Sequence, residues 1–408
     1  MPVVVIPFFS PITDEIWKSD LLATIARSGV IVLTANEIDR WRGERTTGKE
    51  HLVLFVGTGG TEEAIVDFVV NYHPSLDVLL LSHSHANSLA AALEVRAYLS
   101  DSGVRARIVH VATEKIADRL NEWSSFATVE ERIGSCRLGI IGEASSWLVA
   151  SRVDPTAVRN GWGLSIVSIP MTELIRGVTD VSPAQADQHV SRMVRGASCS
   201  DRNEDDIQDA ARVLKRVLEI VERQSLDAVT IQCFSLLTET EISGCLSLSA
   251  LNDAGVTAGC EGDIPSTFTM LVIRLLVGNP SFMGNIADMD MSSNTITMAH
   301  CTVPTSMTSA YRMTSHFESG MSVALAGVFG EGDVTVVRIS GSELSKYWVS
   351  DGRIVGNPTD DRSCRTQVLV KLESPVSSLL EGSLANHHIL VLGHHTARIK
   401  EFLSFCRV

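Results

Sequence analysis

Residues 259–307 read GCEGDIPSTFTMLVIRLLVGNPSFMGNIADMDMSSNTITMAHCTVPTSM, and the texture of the chain changes within them. An acidic turn with Glu261 and Asp263 opens an apolar helix over Pro265–Leu276. A short apolar strand follows and runs into a polar loop carrying Asn285, Asp288 and Asp290. A second strand, Thr295–Ala299, then delivers His300. Carboxylates and a histidine at the ends of adjacent elements are the donor types that an oxygen- and nitrogen-liganded divalent ion requires. The same residues have a plainer use, since Asp and Asn clusters commonly make turns and a His at a strand end is often a satisfied polar residue.

Upstream of this stretch, apolar runs alternate with helical patterns. Over residues 1–150 strands are expected at Val3–Ile6, Val30–Leu33, Leu52–Val56, Val78–Leu81, Arg107–Val111 and Leu138–Ile141. Helices are expected between them at Asp14–Arg27, Glu62–Tyr72, Ser88–Leu99 and Thr113–Trp123. Continuous apolar strands separated by helices specify a parallel, doubly wound sheet, whose ligands sit at the carboxyl ends of the strands. A second α/β domain over 151–279 has strands at Leu164–Ile169 and Ala228–Cys233 and helices at Glu204–Arg223 and Thr238–Ala250 before the Pro265–Leu276 helix. In the first of these helices Ile207, Ala211, Leu214, Leu218 and Val221 form an apolar stripe. Over 280–408 the pattern becomes alternating and Val-rich, at Ser322–Ala326, Asp333–Ser340, Thr366–Leu372 and Ile389–Leu392, before a last helix at Thr396–Phe405. The expected fold class is α/β: two doubly wound α/β domains followed by a mostly antiparallel β C-terminal domain.

Composition narrows the partners. Of 408 residues, 45% are hydrophobic and 20% charged, which is ordinary for a globular protein. A formal net charge of −14 argues against nucleic acid or an anionic membrane as the main partner. The eight cysteines are scattered and form no CxxC pair, as expected of reduced thiols in a cytoplasmic protein. The start, MPVVVIPFFSP, has no basic region and is interrupted by prolines, so it reads as a first strand and not as a signal peptide. The apolar runs are too short to span a bilayer.

Further polar groups gather at strand ends. The run from Gly57 to Glu62, GTGGTE, follows a strand and opens a helix, so its amides can meet an anion or a sugar hydroxyl, or simply make a tight turn. It is neither GxGxxG nor a P-loop, which weakens any nucleotide-dependent reading. His83 and His85 sit in the next such loop, where Asn87 or Ser88 can cap the following helix. His387 and His388 stand at the mouth of a late strand, with His394 and His395 beyond it and His316 in an earlier segment. Adjacent strand residues point to opposite faces, so one of His387 and His388 faces a given metal and the other does not.

EGD at 261–263, SFMGN at 281–285, NTITMAHC at 294–301 and NHHILVLGHHTARIKEF at 386–402 together resemble the L-fucose and L-arabinose isomerase superfamily of metal-dependent aldose–ketose isomerases. GTGGTEE, HANSLAAALE and GEASSWLVAS look like its less characterised branch, and the likeness runs over most of the chain. The resemblance implies a metal site of Glu261, Asn285, His300 and His388, with His387 on the substrate side and His395 as the alternative if the register differs. It also implies a ring-like homo-oligomer, a trimer or hexamer, in which His83, His85 and Asn87 of a neighbouring copy reach the sugar. One departure stands out, because relatives carry an acid where this chain has Asn285, and an amide cannot take a proton. Asp290, or Asp288, is the nearest spare acid, and Asp290 is equally placed to be a turn residue.

The chemistry agrees with that implication. Aldose–ketose isomerisation moves one proton between C2 and C1 and another between O1 and O2, and a divalent ion on both sugar oxygens stabilises the enediolate. Glu261 can act as ligand and base. A mixed O/N donor set suits Mn²⁺, or another divalent ion such as Mg²⁺, Fe²⁺ or Co²⁺, better than Ca²⁺. The competing expectation is a sugar-binding or regulatory protein that kept the fold and lost the chemistry at Asn285. Cys260 and Cys301 read as small buried packing residues. Arg274, Arg312 and Arg398 are the cations nearest the site in sequence, with no pattern that marks an anion pocket.

Overall fold

The structure, a computed structural model, describes residues 2–38, 40, 50–72, 78–180 and 188–406. Two compact units divide the chain, Met1–Glu131 and Arg132–Val408. In the first, β1 (Val3–Phe8), β2 (Ile31–Val32), β3 (His51–Val56), β4 (Val78–His83) and β5 (Ala106–Val111) form one sheet in the order β2-β1-β3-β4-β5. All four pairings are parallel. The near-continuous apolar runs VVVIPF, HLVLFV and VLLLSH suit strands covered on both faces. On one face Val4, Ile6, Leu54 and Leu80 pack with Ala91, Ala92, Val95 and Leu99 of the helix Ser88–Asp101. A buried hydrogen bond joins His51, at the head of β3, to Glu130 on the helix Ile116–Ser135.

The second unit opens with β6 (Arg137–Ile141), β7 (Ser165–Ile169), β8 (Ala228–Ile231) and β9 (Thr257–Cys260), a parallel sheet in the order β7-β6-β8-β9. The strand at 138–141, grouped by its sequence with the first sheet, therefore belongs to this one. An apolar run fits any parallel sheet, and its neighbours choose which. The Arg137 amide donates to Asp227 Oδ2 at 2.9 Å, and Gly139 leaves room for Leu226, whose Cδ1 would lie 2.5 Å from an added Cβ. The helix Glu204–Gln224 begins at Asn203, which accepts from the Asp206 amide. Its fully buried side runs through Ala210, Val213, Val217 and Ile220, slightly rotated from the expected stripe.

The single helix expected over 238–250 is two, Cys233–Thr240 and Cys245–Ala254. Glu241 turns left-handed at φ 63°, and Ser243 is pinned in the break, its amide donating to Ser322 Oγ at 2.9 Å and its hydroxyl to the Val323 carbonyl at 2.6 Å. Periodicity cannot reveal a break enforced by partners some 80 residues away in sequence.

Eight further strands follow: β10 (Phe282–Asp290), β11 (Thr295–His300), β12 (Ala310–Thr314), β13 (Ala324–Val328), β14 (Gly332–Ser340), β15 (Lys346–Gly356), β16 (Thr366–Leu372) and β17 (His387–Leu392). Six close into an antiparallel barrel, β10-β11-β16-β15-β14-β17, while β12 and β13 form a separate ribbon. Closure leaves no free edge among the six. The segment expected as a polar loop at 285–290 is instead the second half of β10, paired with β11 from Asn285↔Ala299 to Asp290↔Thr295 with an irregularity between Ile286 and Asp288. Its polar side chains stay largely exposed while the ladder satisfies its backbone. The architecture is thus two parallel α/β sheets and a C-terminal antiparallel β barrel. Among the described residues, no helix is long and apolar enough to cross a membrane.

Candidate metal centre

Glu261 follows β9 directly, at the carboxyl edge of the second parallel sheet. It is held in the left-handed region at φ 61°, and Gly262 after it at φ +69°. Such a conformation costs a Glu on the order of 1–3 kcal/mol and persists where surrounding contacts impose it. Here the Glu261 carbonyl accepts from the Ser145 amide at 2.9 Å, and the Gly262 amide donates to the Ile231 carbonyl at 3.1 Å. A side chain at 262 would meet the Glu143 carbonyl oxygen at 2.5 Å and Ala144 Cα at 2.8 Å, so only glycine admits this close approach. Asp263 then caps the helix Ile264–Val277, accepting from the Ser266 amide at 2.9 Å, with Pro265 in the first turn.

The barrel brings two histidines to this carboxylate. His300 ends β11 and His387 begins β17. His387 Nε2 lies 3.4 Å and His300 Nε2 3.8 Å from Glu261 Oε1. Glu261 Oε2 accepts from Trp147 Nε1 at 2.8 Å. All three ligand-bearing residues are buried, and one donor atom from each lies within 4.8 Å of the others. Two donors each about 2.1 Å from one ion stand about 3.0–3.4 Å apart, so the three need only a small contraction to share one. His387 Nε2 is buried without a hydrogen-bond partner, a costly state for a polar atom unless something binds there. A carboxylate with two imidazoles fits a divalent transition ion.

Behind the donors lies a buried network. His387 Nδ1 is 2.9 Å from Asp263 Oδ2, which fixes the tautomer that leaves Nε2 facing Glu261. Arg338, from β14, pairs with Asp263 at 3.1 Å, and both side chains are 0% exposed. The guanidinium also donates to the His387 carbonyl at 3.1 Å, to Ser151 Oγ at 2.9 Å and to Ser266 Oγ. Burial alone would raise the Asp263 carboxyl, but the Arg338 charge and His387 outweigh it and hold the group well below the usual carboxylate range. Burial likewise opposes ionisation of Glu261, and His300 and His387 together hold it well below its ordinary value. For His387 burial disfavours the charged form, yet Asp263 and Glu261 push the imidazole up to about 8. His300 Nδ1 is 3.0 Å from Thr302 Oγ1.

The structure sorts the residues expected at the site. His387, and not His388, stands with Glu261 and His300. The reason is register: β10 and β17 pair Asn285 with His387 and Gly284 with His388, so the two histidines leave opposite faces of the strand. His388 is buried edge-on against Trp348, with centroids 5.6 Å apart and neither ring nitrogen hydrogen-bonded. Burial and the Arg338 charge push it down to about 3, so it is neutral. Asn285 lines the same pocket as Glu261, but its Oδ1 already accepts from Asn386 Nδ2 at 2.9 Å. Asp290 is a turn residue and not a spare acid: it accepts from the Ser292 amide at 2.8 Å and from the hydroxyls of Ser292 and Ser293. Those bonds, the Ser292 hydroxyl first, pull it down to about 2. Asp288 is exposed and accepts from the next amide. His395 lies beyond the far end of β17, against the Leu392 carbonyl.

In the first unit, His83 is a satisfied core residue. Its Nε2 is 2.9 Å from the Gly57 carbonyl, its Nδ1 is 3.0 Å from Thr113 Oγ1, and its ring stacks on Phe55. Burial pushes its pKa down. No ring nitrogen of His83 is left for a sugar, whereas His85 and Asn87 are exposed at the same sheet edge. Asn87 occupies the cap position of its helix at φ 54° without a side-chain cap bond. GTGGTE is a tight turn: the Gly59 amide donates to the Ala86 carbonyl and Thr61 Oγ1 to the Thr58 carbonyl. Arg274, Arg312 and Arg398 do not line the pocket around Glu261.

That pocket encloses about 490 Å³, including the solvent at its mouth, and Phe234, Asn285, His316 and Glu318 share it with Glu261 and His300. Cys260 and Cys301 are buried in its wall, as expected of small packing residues. Sequence reasoning missed Trp147, Ser151, Arg338 and Glu318. Arg338 carried a visible signal, a charge in the middle of the apolar strand GDVTVVRIS; Trp147 and Ser151 stand within GEASSWLVAS and Glu318 beside His316, with nothing in the pattern to assign their roles.

No protein-family model matches the chain. It is 20% identical over 300 residues to a sulfoquinovose isomerase of Priestia aryabhattai and equally to that of Priestia megaterium (strain ATCC 12872 / QMB1551), covering 70% of this chain. A sulfoquinovose isomerase of Clostridium sp. (strain MSTE9) is 22% identical over 231 residues, or 55% of this chain. The chain spans 66% of the length of the first two relatives and 49% of the third.

Two outcomes follow from the geometry. In the metal-free protein, His387 raised to about 8 contributes stability that is fully present below its ordinary value of 6.5 and lost as pH rises through about 8. Glu261 and Asp263 contribute in the opposite sense, above ordinary carboxylate values, and lose that contribution as pH falls through their lowered values. An ion must displace the His387 proton, so Mn²⁺ affinity should climb with pH and level off near 8, with proton release below it. Titration calorimetry in buffers of different ionisation enthalpy measures this, and pH-independent affinity would contradict it. Separately, His387→Leu should abolish Mn²⁺ binding. His388→Leu should retain it and leave the melting temperature unchanged or higher, because two unbonded buried ring nitrogens are removed.

Proposed function

We propose that this chain is a metal-dependent aldose–ketose sugar isomerase of the L-fucose/L-arabinose isomerase superfamily, working through an enediol(ate). The observation that carries the reading is the buried Glu261–His300–His387 group, with Glu261 and His300 in the wall of a pocket and an orphaned His387 Nε2 facing Glu261. The names of the relatives support the same reaction class. A bound Mn²⁺, or another divalent ion such as Mg²⁺, Fe²⁺ or Co²⁺, would polarise the C1 and C2 oxygens and stabilise the enediolate.

The chain's own residues do the rest. Glu261, His300 and His387 present one oxygen and two nitrogens from a rigid edge. Asp263 and Arg338 hold the His387 ring in its ligating orientation. Trp147 keeps the Glu261 carboxylate from rotating by holding Oε2. Sulfoquinovose is the first sugar to test. The described residues lining the pocket include no Lys or Arg, so an anionic sugar would take its counter-charge from outside this lining. A homo-oligomer, trimer or hexamer, completes the proposal. Its support is the exposure of Ile12 (94%) and Ile16 (75%) in the first unit, the unit that also exposes His85 and Asn87.

The second reading, a sugar-binding or regulatory protein, is favoured by one observation: Asn285, an amide with its oxygen held by Asn386, lines the pocket at the position where the resemblance implies an acid. Metal-stripped protein resupplied with Mn²⁺ and incubated with a panel of aldoses in D₂O separates the two. Ketose carrying deuterium at C1 is the expected result by NMR once the paramagnetic ion is removed. Tight metal and sugar binding without turnover of any sugar would instead establish the binding protein.

A further inference from the structure

Isomerisation through an enediol needs a group that takes a proton from carbon and gives one back. The residues around the metal centre leave that role open. Asn285 is an amide whose oxygen is bonded to Asn386. Both carboxylate oxygens of Glu261 are engaged, one by Trp147 and the other facing the two histidines. The oxygens of Asp263 are enclosed by Ser266, Arg338 and His387.

One other carboxylate lines the pocket, Glu318. It is reached by solvent and makes no hydrogen bond or ion pair among the described residues. Its loop, between β12 and β13, is nonetheless fixed. The His316 amide donates to the Met321 carbonyl and the Gly320 amide to the His316 carbonyl, each at 2.9 Å. The Arg365 guanidinium lies 5.6 Å over the Phe317 ring and donates to the Ser315 carbonyl at 2.9 Å. A line of aromatic contacts also ties this loop to the metal centre. His316 packs on Phe234 with centroids 5.9 Å apart, and Phe234 packs on Trp147 at 4.9 Å, the residue that holds Glu261. Cys301 and Cys364 line the same pocket as Glu318 and Glu261.

We propose that Glu318 is the acid–base residue of this pocket, taking the role that Asn285 cannot fill. The inference rests on the isomerase reading. The aldose C2–H bond breaks, its electron pair forms the C1=C2 double bond, the C1 oxygen gains the negative charge, and Glu318 takes the proton. The O2 proton then passes to O1. Collapse of the enediolate to the C2 carbonyl draws the proton back from Glu318 onto C1, so no oxidant or further reactant is consumed.

The test compares wild type with Glu318→Gln, Glu318→Ala and Asn285→Asp/Glu318→Gln, using Mn²⁺ and whichever aldose the wild type turns over. Glu318→Gln should lower turnover and sugar C–H exchange in D₂O by about 10²–10⁴-fold, with Mn²⁺ affinity by calorimetry unchanged. Formate should restore activity to Glu318→Ala, and the acidic limb of the wild-type pH profile should vanish in Glu318→Gln. Partial recovery in the double variant would further support the substitution of one acid for the other. Wild-type exchange rates in Glu318→Gln would overturn the assignment while leaving the isomerase intact. A loss of Mn²⁺ affinity without formate rescue would also overturn it, marking Glu318 as structural. A wild type that exchanges no sugar proton would remove the isomerase reading, and this assignment with it.

Discussion

The fully buried pair of Asp263 and Arg338 is the interaction on which the rest of the second unit depends. Taking two charges out of water costs several kcal/mol per ion unless the remaining donors and acceptors are matched. Here the matching groups come from separate parts of the chain: Ser151 from the segment after β6, Ser266 from the helix that Asp263 caps, and the His387 carbonyl from β17. The pair can form only when the parallel sheet, the helix Ile264–Val277 and the barrel strands are all in place. It therefore specifies their arrangement more than it adds net stability. Removing one partner would strand the other charge, a loss of about 3–5 kcal/mol.

The candidate metal centre is built on that junction. Asp263 turns the chain into a helix, and its second carboxylate oxygen orients His387. Two residues earlier, Glu261 is forced left-handed by the same turn. The donors thus come from a sheet edge and two barrel strands, all regular elements with buried backbones, which is what a site of fixed geometry needs. On the solvent side Phe234, His316 and Glu318 line the pocket, with Trp147 packed on Phe234. Strain at Glu261 is a local cost sustained by its surroundings, in a place where backbone outliers commonly serve function.

Much of the fold was legible from local pattern. Runs such as VVVIPF and VLLLSH cannot be exposed, and their spacing with helices leaves a parallel sheet as the consistent arrangement. The errors lie where partners decide. RLGII fits either parallel sheet, and Asp227 and Leu226 assign it to the second. FMGNIADMD loses its apolar character halfway, yet continues as a strand because β11 pairs with its second half. KYWVSDGRIVG lies outside the strands expected from the sequence; its Gly and charges weaken the alternation, and barrel closure gives both of its edges a neighbour.

The candidate site divides in the same way. The sequence by itself determined the donor types and their approximate places: Glu261 after a strand, His300 at a strand end, a His pair at the mouth of another. These follow from residue chemistry and period, which are local. Only the tertiary structure decided that His387 and not His388 joins them, that Arg338 stands behind the centre and that Glu318 shares the pocket. Each of those outcomes depends on strand register and on contacts between residues tens to more than a hundred positions apart, and no local pattern encodes such distances.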